Sequence, residues 1–260
     1  MLRTIIATVV AATCSLLGQA GAAPAAADVA PWGEPDDAQH PYSGQLLRFE
    51  NGEALGGCSG TLVSPTVFIT AGHCAIRKQQ NPGMDLWVTF ESEWTKTSPP
   101  TDRYRVAYAV ASTDLDLGVE VLAETATGIP LARLATAGTL DTLMASTREH
   151  PPLTLVGYGQ GGAPYLDPVQ TWIESTRQAG DSDLIRVGDD VVQTRADASH
   201  QGGPSTGCAG NSGGGLFLPG TDTLTGIATL ADAMCITYGL GTRLDSPRAR
   251  EFLGRFVSLP

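Results

Sequence analysis

Basic residues are scarce in this chain: 16 lysines and arginines stand against 27 acids, for a formal net charge of −11. So little positive charge argues against nucleic acid and anionic membrane as partners. Aromatics are few as well, at 6%. Long apolar runs are missing beyond the N-terminus, and even there residues 4–17 are too few to span a bilayer. No C-x-x-C spacing occurs, which removes the usual zinc ligand sets. No acidic loop reads as a calcium site and no cofactor pattern is present, so neither metal nor cofactor is expected. Helical periodicity is nearly absent too. Only the tail carries it: Ser246 can cap, Pro247 suits the first helical position, and Phe252, Leu253, Phe256 and Val257 share a face, predicting a helix over 247–257.

What the chain does carry is turn chemistry between short apolar runs. With 31 glycines, 17 prolines and 42% apolar residues, 260 residues suffice for one large all-β domain or two small ones. Strand-like runs fall at 42–49, 60–70, 86–90, 104–110, 153–158, 172–173, 184–187, 191–192, 214–218 and 224–230. Asn51-Gly52 and Pro219-Gly220 read as hairpin turns, and Ser64-Pro65 breaks the 60–70 run. Leu115, Leu117, Val119 and Val121 share one parity while Asp114, Asp116, Gly118 and Glu120 take the other, as in a half-buried strand. Residues 132–152 have weak strand character and mark the boundary between two halves. Many short strands closed by one helix indicate an all-β barrel or sandwich.

Met1-Leu2-Arg3, the apolar run and Ala20-Gly21-Ala22 together read as a secretory signal over residues 1–22, with an alternative cut after Ala27. A single arginine ahead of the run argues against the twin-arginine route. Cys14 falls inside the signal; a lipid-modified Cys14 is the rival reading, but the apolar run continues past it. Four cysteines remain in the exported chain, Cys58, Cys74, Cys208 and Cys235, and three pairings are open to them. Two disulfides, each worth about 2–4 kcal/mol, are the expectation.

Reactive side chains concentrate in three stretches. Gly210-Asn211-Ser212-Gly213-Gly214 sets a serine in a turn where no neighbouring Cβ blocks a substrate and freed N–H groups can face an oxyanion. Thr70-Ala71-Gly72-His73-Cys74 offers a base, and Asp116-Leu117-Gly118-Val119 a carboxylate to orient it. Asp114 competes for that last role. His40, His150 and His200 lie in no comparable context and read as surface or turn histidines. The serine stretch also satisfies G-x-S-x-G, but all four histidines precede Ser212, whereas in α/β-hydrolases the histidine follows the serine, so that fold is excluded.

At these residues the chain resembles the trypsin-like, chymotrypsin-fold serine peptidases, from about His40-Pro41-Tyr42 to the tail. Cys58-Ser59-Gly60-Thr61-Leu62-Val63 with Thr70-Ala71-Gly72-His73-Cys74 looks like the family's first disulfide loop, and Leu155-Val156-Gly157-Tyr158-Gly159 like its glycine–aromatic–glycine segment. The resemblance implies two antiparallel six-stranded β-barrels with the active site between them. A single domain over 28–260 would hold an N-terminal barrel at about 40–140 and a C-terminal barrel at about 150–245. It implies Cys58–Cys74 and Cys208–Cys235 pairings, Ser212 as nucleophile, His73 as base, Asp116 as orienting acid and the Gly210 and Ser212 N–H groups as oxyanion hole. A secreted monomeric endopeptidase acting on polypeptides is the expected function; a catalytically idle relative kept as a binding module is the alternative.

Several positions depart from the family pattern. Asn211 stands where an aspartate usually pairs with the amine released by zymogen cleavage, and Trp32-Gly33-Glu34-Pro35-Asp36 replaces the usual Ile-Val-Gly-Gly start. A preformed oxyanion loop, with no insertion switch, is the expectation. Gly215 replaces a proline, Leu230-Ala231 replaces an aromatic–glycine pair, and Thr229 takes the place of a serine whose hydroxyl contacts the catalytic aspartate. By position, Thr206 forms the base of the specificity pocket and Ala231 and Gly239 its walls. With no carboxylate at the base, a neutral, small to medium apolar side chain is expected before the cleaved bond.

Overall fold

The computed structural model describes residues 33–95, 97–147, 149–159, 175–196, 206–232, 235 and 237–260. The expected signal, the expected strand at 172–173 and His200 lie outside the described residues. After a two-residue strand β1 (Glu34–Pro35), β2 (Ser43–Glu50) turns into β3 (Glu53–Ser64). Asn51 and Gly52 take φ of 52° and 84°, the mirror-image turn that matches strand twist in a two-residue hairpin. β4 (Val67–Thr70), helix α1 (Gly72–Gln80), β5 (Leu86–Thr89), short β6 (Glu93–Trp94), β7 (Arg103–Ala111) and β8 (Gly118–Leu122) follow. Six of these strands close a barrel in the order β2-β3-β4-β8-β7-β5.

The second half begins with β9 (Arg133–Leu134) and helix α2 (Thr139–Ala145), then β10 (Pro152–Gly157), β11 (Ser175–Thr176), β12 (Gln178–Val187) and β13 (Val191–Ala196). β14 (Gly215–Phe217), β15 (Thr223–Ala231), β16 (Tyr238–Arg243) and helix α3 (Pro247–Leu253) complete it. Neighbouring strands run β12-β10-β14-β15-β16-β13, and a β12–β13 pairing closes the ring. The architecture is therefore two closed six-stranded antiparallel barrels with a C-terminal helix. β6 pairs with β11, a small ribbon linking the two halves.

A shared apolar core crosses the seam between the barrels. One apolar cluster runs from Leu62, Ile69 and Val119 in the first barrel to Val156, Phe217 and Ile227 in the second. The Tyr42 and Phe217 rings meet across it at 5.3 Å, and His40 stacks on Phe217 at 5.4 Å. Arg177 is also held there, 1% exposed. Its guanidinium donates to the Asp36 carboxylate and to the carbonyls of Asp36, Asp37, Ser43 and Phe90, which compensates a charge taken out of water.

Several expectations need correction. Helices α1 and α2 have no counterpart in the sequence reading because neither starts on a side-chain cap: Ala71 precedes one and Gly138 the other. Distant groups hold them instead. The Cys58–Cys74 disulfide pins α1, and Asp245 Oδ2 accepts the Leu140 N–H at the start of α2, 2.8 Å away. Because α1 packs across β7 and β8, the polar face expected for 115–121 is covered, and Glu120 is 0% exposed. Helix α3 ends at Leu253, short of the 247–257 expected, where Gly254 weakens it and i→i+3 bonds from Arg255 and Phe256 tighten the chain. His40 is buried at the seam, with Nδ1 3.0 Å from Asp36 Oδ2, and is not a surface histidine.

Candidate active site

His73 is the second residue of α1, and its position follows from the helix start. Asp116, in the segment leading into β8, places its carboxylate over that start. Oδ1 accepts the His73 N–H at 2.9 Å, and Oδ2 lies 2.9 Å from His73 Nδ1. Partial burial pulls the Asp116 pKa upward. Hydrogen bonds from the His73 ring and backbone, the His73 charge and the Gly72 N–H outweigh burial and hold it below the usual carboxylate value. With Nδ1 committed to the carboxylate, Nε2 is the ring nitrogen left for proton transfer. Asp114, the competitor, points away: its carboxylate is mostly exposed and lies 3.6 Å from Arg248.

Ser212 arrives from the second barrel, on the turn before β14, and the first barrel fixes that turn. Ser59 on β3 donates its backbone N–H to the Ser212 carbonyl at 2.8 Å and its hydroxyl to the Gly210 carbonyl at 2.7 Å. The same hydroxyl accepts the Tyr158 N–H at 2.8 Å, and Thr70 Oγ1 donates to the Ser59 carbonyl at 2.7 Å. Gly213 is required here. Its φ is +84°, and a Cβ would collide with the Ser59 carbonyl and the Thr70 hydroxyl. Asn211 turns inward, and its Oδ1 accepts the Gly159 N–H at 2.9 Å.

The turn spends its N–H groups unevenly. Those of Asn211, Gly213 and Gly214 donate to the carbonyls of Cys208, Ala228 and Asn211. Those of Gly210 and Ser212 have no acceptor among the described residues, although Gly210 is buried. Two unpaired donors side by side suit an arriving oxyanion. Ser212 and His73 line one cavity of about 380 Å³. No hydrogen bond joins the Ser212 hydroxyl to the His73 ring in this structure, a looseness common in substrate-free sites of this kind.

Ser212 also lines a second pocket, of about 200 Å³. Thr206, Thr229 and Ala231 line it; Gly239 does not, and sits behind Thr206, where a Cβ would press on the Thr206 carbonyl. The buried Thr206 hydroxyl donates to the Cys235 carbonyl at 2.9 Å, and the Cys208–Cys235 disulfide joins the two flanking segments. Thr229 donates to the Leu240 carbonyl at 3.2 Å and not to Asp116. The hydroxyl that reaches Asp116 is that of Thr242 on β16, 3.0 Å from the Asp116 carbonyl. Sequence reasoning missed Ser59 and Thr242, since nothing in their spacing marks a bond to a residue over 100 positions away, and Thr70, which braces Ser59 from 11 positions along the chain. It also missed Asp232, a residue that lines the pocket and whose Oδ2 accepts the Thr237 and Tyr238 N–H groups.

Cys58, His73 and Cys74 lie close enough together to suggest a metal centre, but both sulfurs are spent in the disulfide. No helix among the described residues is long and apolar enough to cross a membrane.

Paired barrels with a histidine–carboxylate couple and a glycine-set serine at their seam define the class as the two-barrel serine peptidases. Residues 33–247 match the Trypsin family, and the chain belongs to it. The solved structure of HL collagenase covers 87% of this chain and 99% of its own, with a TM-score of 0.62; at 16% identity this is a likeness of fold alone. No curated protein matches the chain. Family and fold together support a trypsin-like serine-protease function, and that family implies a polypeptide substrate.

Proposed function

We propose that this chain is a secreted serine endopeptidase working through an acyl-enzyme on Ser212. The observation that carries the proposal is the His73 Nδ1–Asp116 bond beside a cavity shared with Ser212, next to the two unspent N–H groups of Gly210 and Ser212. Ser212 Oγ attacks the scissile carbonyl as His73 Nε2 takes its proton, and the tetrahedral oxyanion settles against those two donors. Collapse expels the amine, which takes the proton back from His73. Water, deprotonated by the same nitrogen, then releases the acid and restores the serine. Asp116 holds the imidazole tautomer and stabilises the imidazolium.

The oxyanion loop is proposed to be preformed. Asn211 Oδ1 is satisfied by the Gly159 N–H, with no charged partner among the described residues, and β1 is already stitched onto β12, with the Asp36 N–H donating to the Arg177 carbonyl at 2.9 Å. A mature N-terminus found near residue 33 and buried against Asn211, with activity lost on extending it, would overturn this. The residue before the cleaved bond is proposed to be neutral and small to medium, entering over Thr206. Arg- or Lys-ending reporters cleaved at least tenfold better than Leu, Ala or Phe ones would contradict that. Export after removal of residues 1–22, and a monomeric mature form, complete the reading; two formed disulfides agree with an oxidising compartment.

The deciding experiment is treatment with a serine-directed phosphonylating reagent followed by intact mass. One adduct is expected on the wild type and none on Ser212→Ala. An unlabelled wild type that is folded by circular dichroism would instead favour an idle binding module.

A further inference from the structure

The cavity shared by His73 and Ser212 has a character that the proposed reaction does not call for. Its floor is apolar, with Leu46, Leu55, Met84 and Leu86 around the Cys58–Cys74 bridge. Its titratable lining, among the described residues, is His73, Arg48 and Arg77, with no carboxylate. In a chain of net charge −11 that is an unusual concentration of positive charge. Arg48 is half-exposed and lies 3.3 Å from Glu50. Arg77 is exposed and has no ion pair, aromatic ring or carbonyl partner for its guanidinium among the described residues. The smaller pocket is the reverse case, since among the described residues the one charged residue lining it is Asp232.

Which part of a substrate meets this cavity follows from the chemistry of the proposed reaction, on which this inference rests. His73 must return its proton to the departing amine, so the chain after the cleaved bond leaves on the side that holds His73. The 200 Å³ pocket does not include His73 among its lining; the larger cavity does. The leaving segment therefore meets the larger cavity, and we propose that Arg77 and Arg48 make that cavity selective for acid. It takes an apolar side chain against the disulfide floor and, within the first two or three residues after the bond, a carboxylate that pairs with Arg77 and then Arg48. Acidic peptide is the substrate class this selects, and lysine-bearing leaving segments are rejected by like charge.

The test uses the full-length secreted protein and internally quenched peptides identical up to the cleaved bond. Beyond it they carry Leu-Glu, Leu-Gln or Leu-Lys. The readout is the ratio of kcat/KM values within one enzyme preparation, which is independent of the fraction correctly folded. An exposed guanidinium in a cleft should give the Glu peptide an advantage over the Lys peptide of about 3- to 10-fold at low salt, shrinking as salt screens it. Arg77→Gln should bring the ratio close to one, and Arg77→Glu should invert it. Equal ratios in wild type and Arg77→Glu would overturn the inference. A p-nitrophenyl ester of the same acyl part has no leaving peptide and tests the peptidase reading separately. Ester and peptides all untouched would sink that reading and this inference with it. Turnover of the ester and of all three peptides with no charge preference sinks this inference alone.

Discussion

Two buried serines of the first barrel offer a sharp comparison. Ser59 and Ser43 are both 0% exposed. The Ser59 hydroxyl donates to the Gly210 carbonyl and accepts from Tyr158 N–H, whereas the Ser43 hydroxyl has no partner among the described residues. Ser59→Ala leaves a buried carbonyl and a buried N–H unmet at once. At about 1–3 kcal/mol for each orphaned group, and with some relaxation, the expected loss is about 2–4 kcal/mol. For a domain of this size that lowers Tm by about 5–12 °C. Ser43→Ala removes a hydroxyl that was already desolvated for nothing, so stability should stay within about 0.5 kcal/mol or rise by up to about 1 kcal/mol. Ser59 also orients Gly210, so its loss should cut kcat about tenfold with little change in KM, a fraction of what deleting an oxyanion donor outright costs. Thermal unfolding of both variants beside steady-state kinetics makes the measurement. Equal Tm losses in the two variants, or a stability loss in Ser59→Ala with kcat intact, would refute the assignment of Ser59 as the brace of the nucleophile loop.

Three further outcomes follow from buried polar groups. Asp36 is pulled up by burial, but the His40 bond and charge, the Arg177 charge and the Gln39 N–H outweigh this and hold its pKa low. Its stabilisation is present above the ordinary carboxylate pKa and lost as pH falls through its lower folded value. Asp36→Asn should thus cost about 3–5 kcal/mol at pH 7, a gap that narrows below pH 4 in pH-resolved thermal melts. Glu120 shows the opposite sign. Burial, against a smaller pull from Lys78, raises its pKa well above normal, and neither oxygen has a hydrogen-bond partner among the described residues. Its native carboxyl keeps a proton that the unfolded chain has released, so its contribution is full below the ordinary carboxylate pKa and lost as pH rises toward the folded value. Glu120→Gln should match the wild type near pH 4 and exceed it in Tm near pH 8; a Tm difference that does not vary with pH would count against this. Finally, Asn211→Asp places a carboxylate in a buried site built for an amide, with the Gly159 N–H on Oδ1 and no bonded cation among the described residues. About 3 kcal/mol of destabilisation at pH 8, relieved at pH 5, is expected by chemical denaturation, and a more stable variant at pH 8 would revive an N-terminal insertion switch.

What the amino-acid order discloses is whatever depends on near neighbours. The hairpin at Asn51-Gly52 was readable because a two-residue turn with both φ values positive accepts few residue pairs. Strand runs were readable from apolar patches, and His73, Asp116 and Ser212 each stood in a short distinctive context. Helices α1 and α2 were not readable, because their starts are satisfied by Asp116 and Asp245, carboxylates 43 and 105 positions away. Glu120 was misread for the same reason: its alternation is that of a solvated face, and only the packing of α1 across β7 and β8 turns that face inward. Ser59 and Thr242 act through register. Each donates to a backbone carbonyl of the other half of the chain, at separations of 151 and 126 residues, and no local pattern encodes such a bond.

The scarcity of positive charge gives the remaining arginines their meaning. Arg105, Arg133, Arg177, Arg195, Arg243 and Arg248 each lie within salt-bridge distance of an aspartate. Arg103 and Arg255 lie over aromatic rings. Arg48, which shares the cleft with Arg77, is itself beside Glu50, whereas Arg77 has no carboxylate partner among the described residues. Arg77 lines the same cleft as the histidine proposed to protonate the leaving group. The proposed selectivity for acid implies a potential that rises from the pocket lined by Asp232 to the cavity lined by Arg77, both of which Ser212 borders. A peptide charged in the complementary sense is aligned in one direction before any side chain is seated.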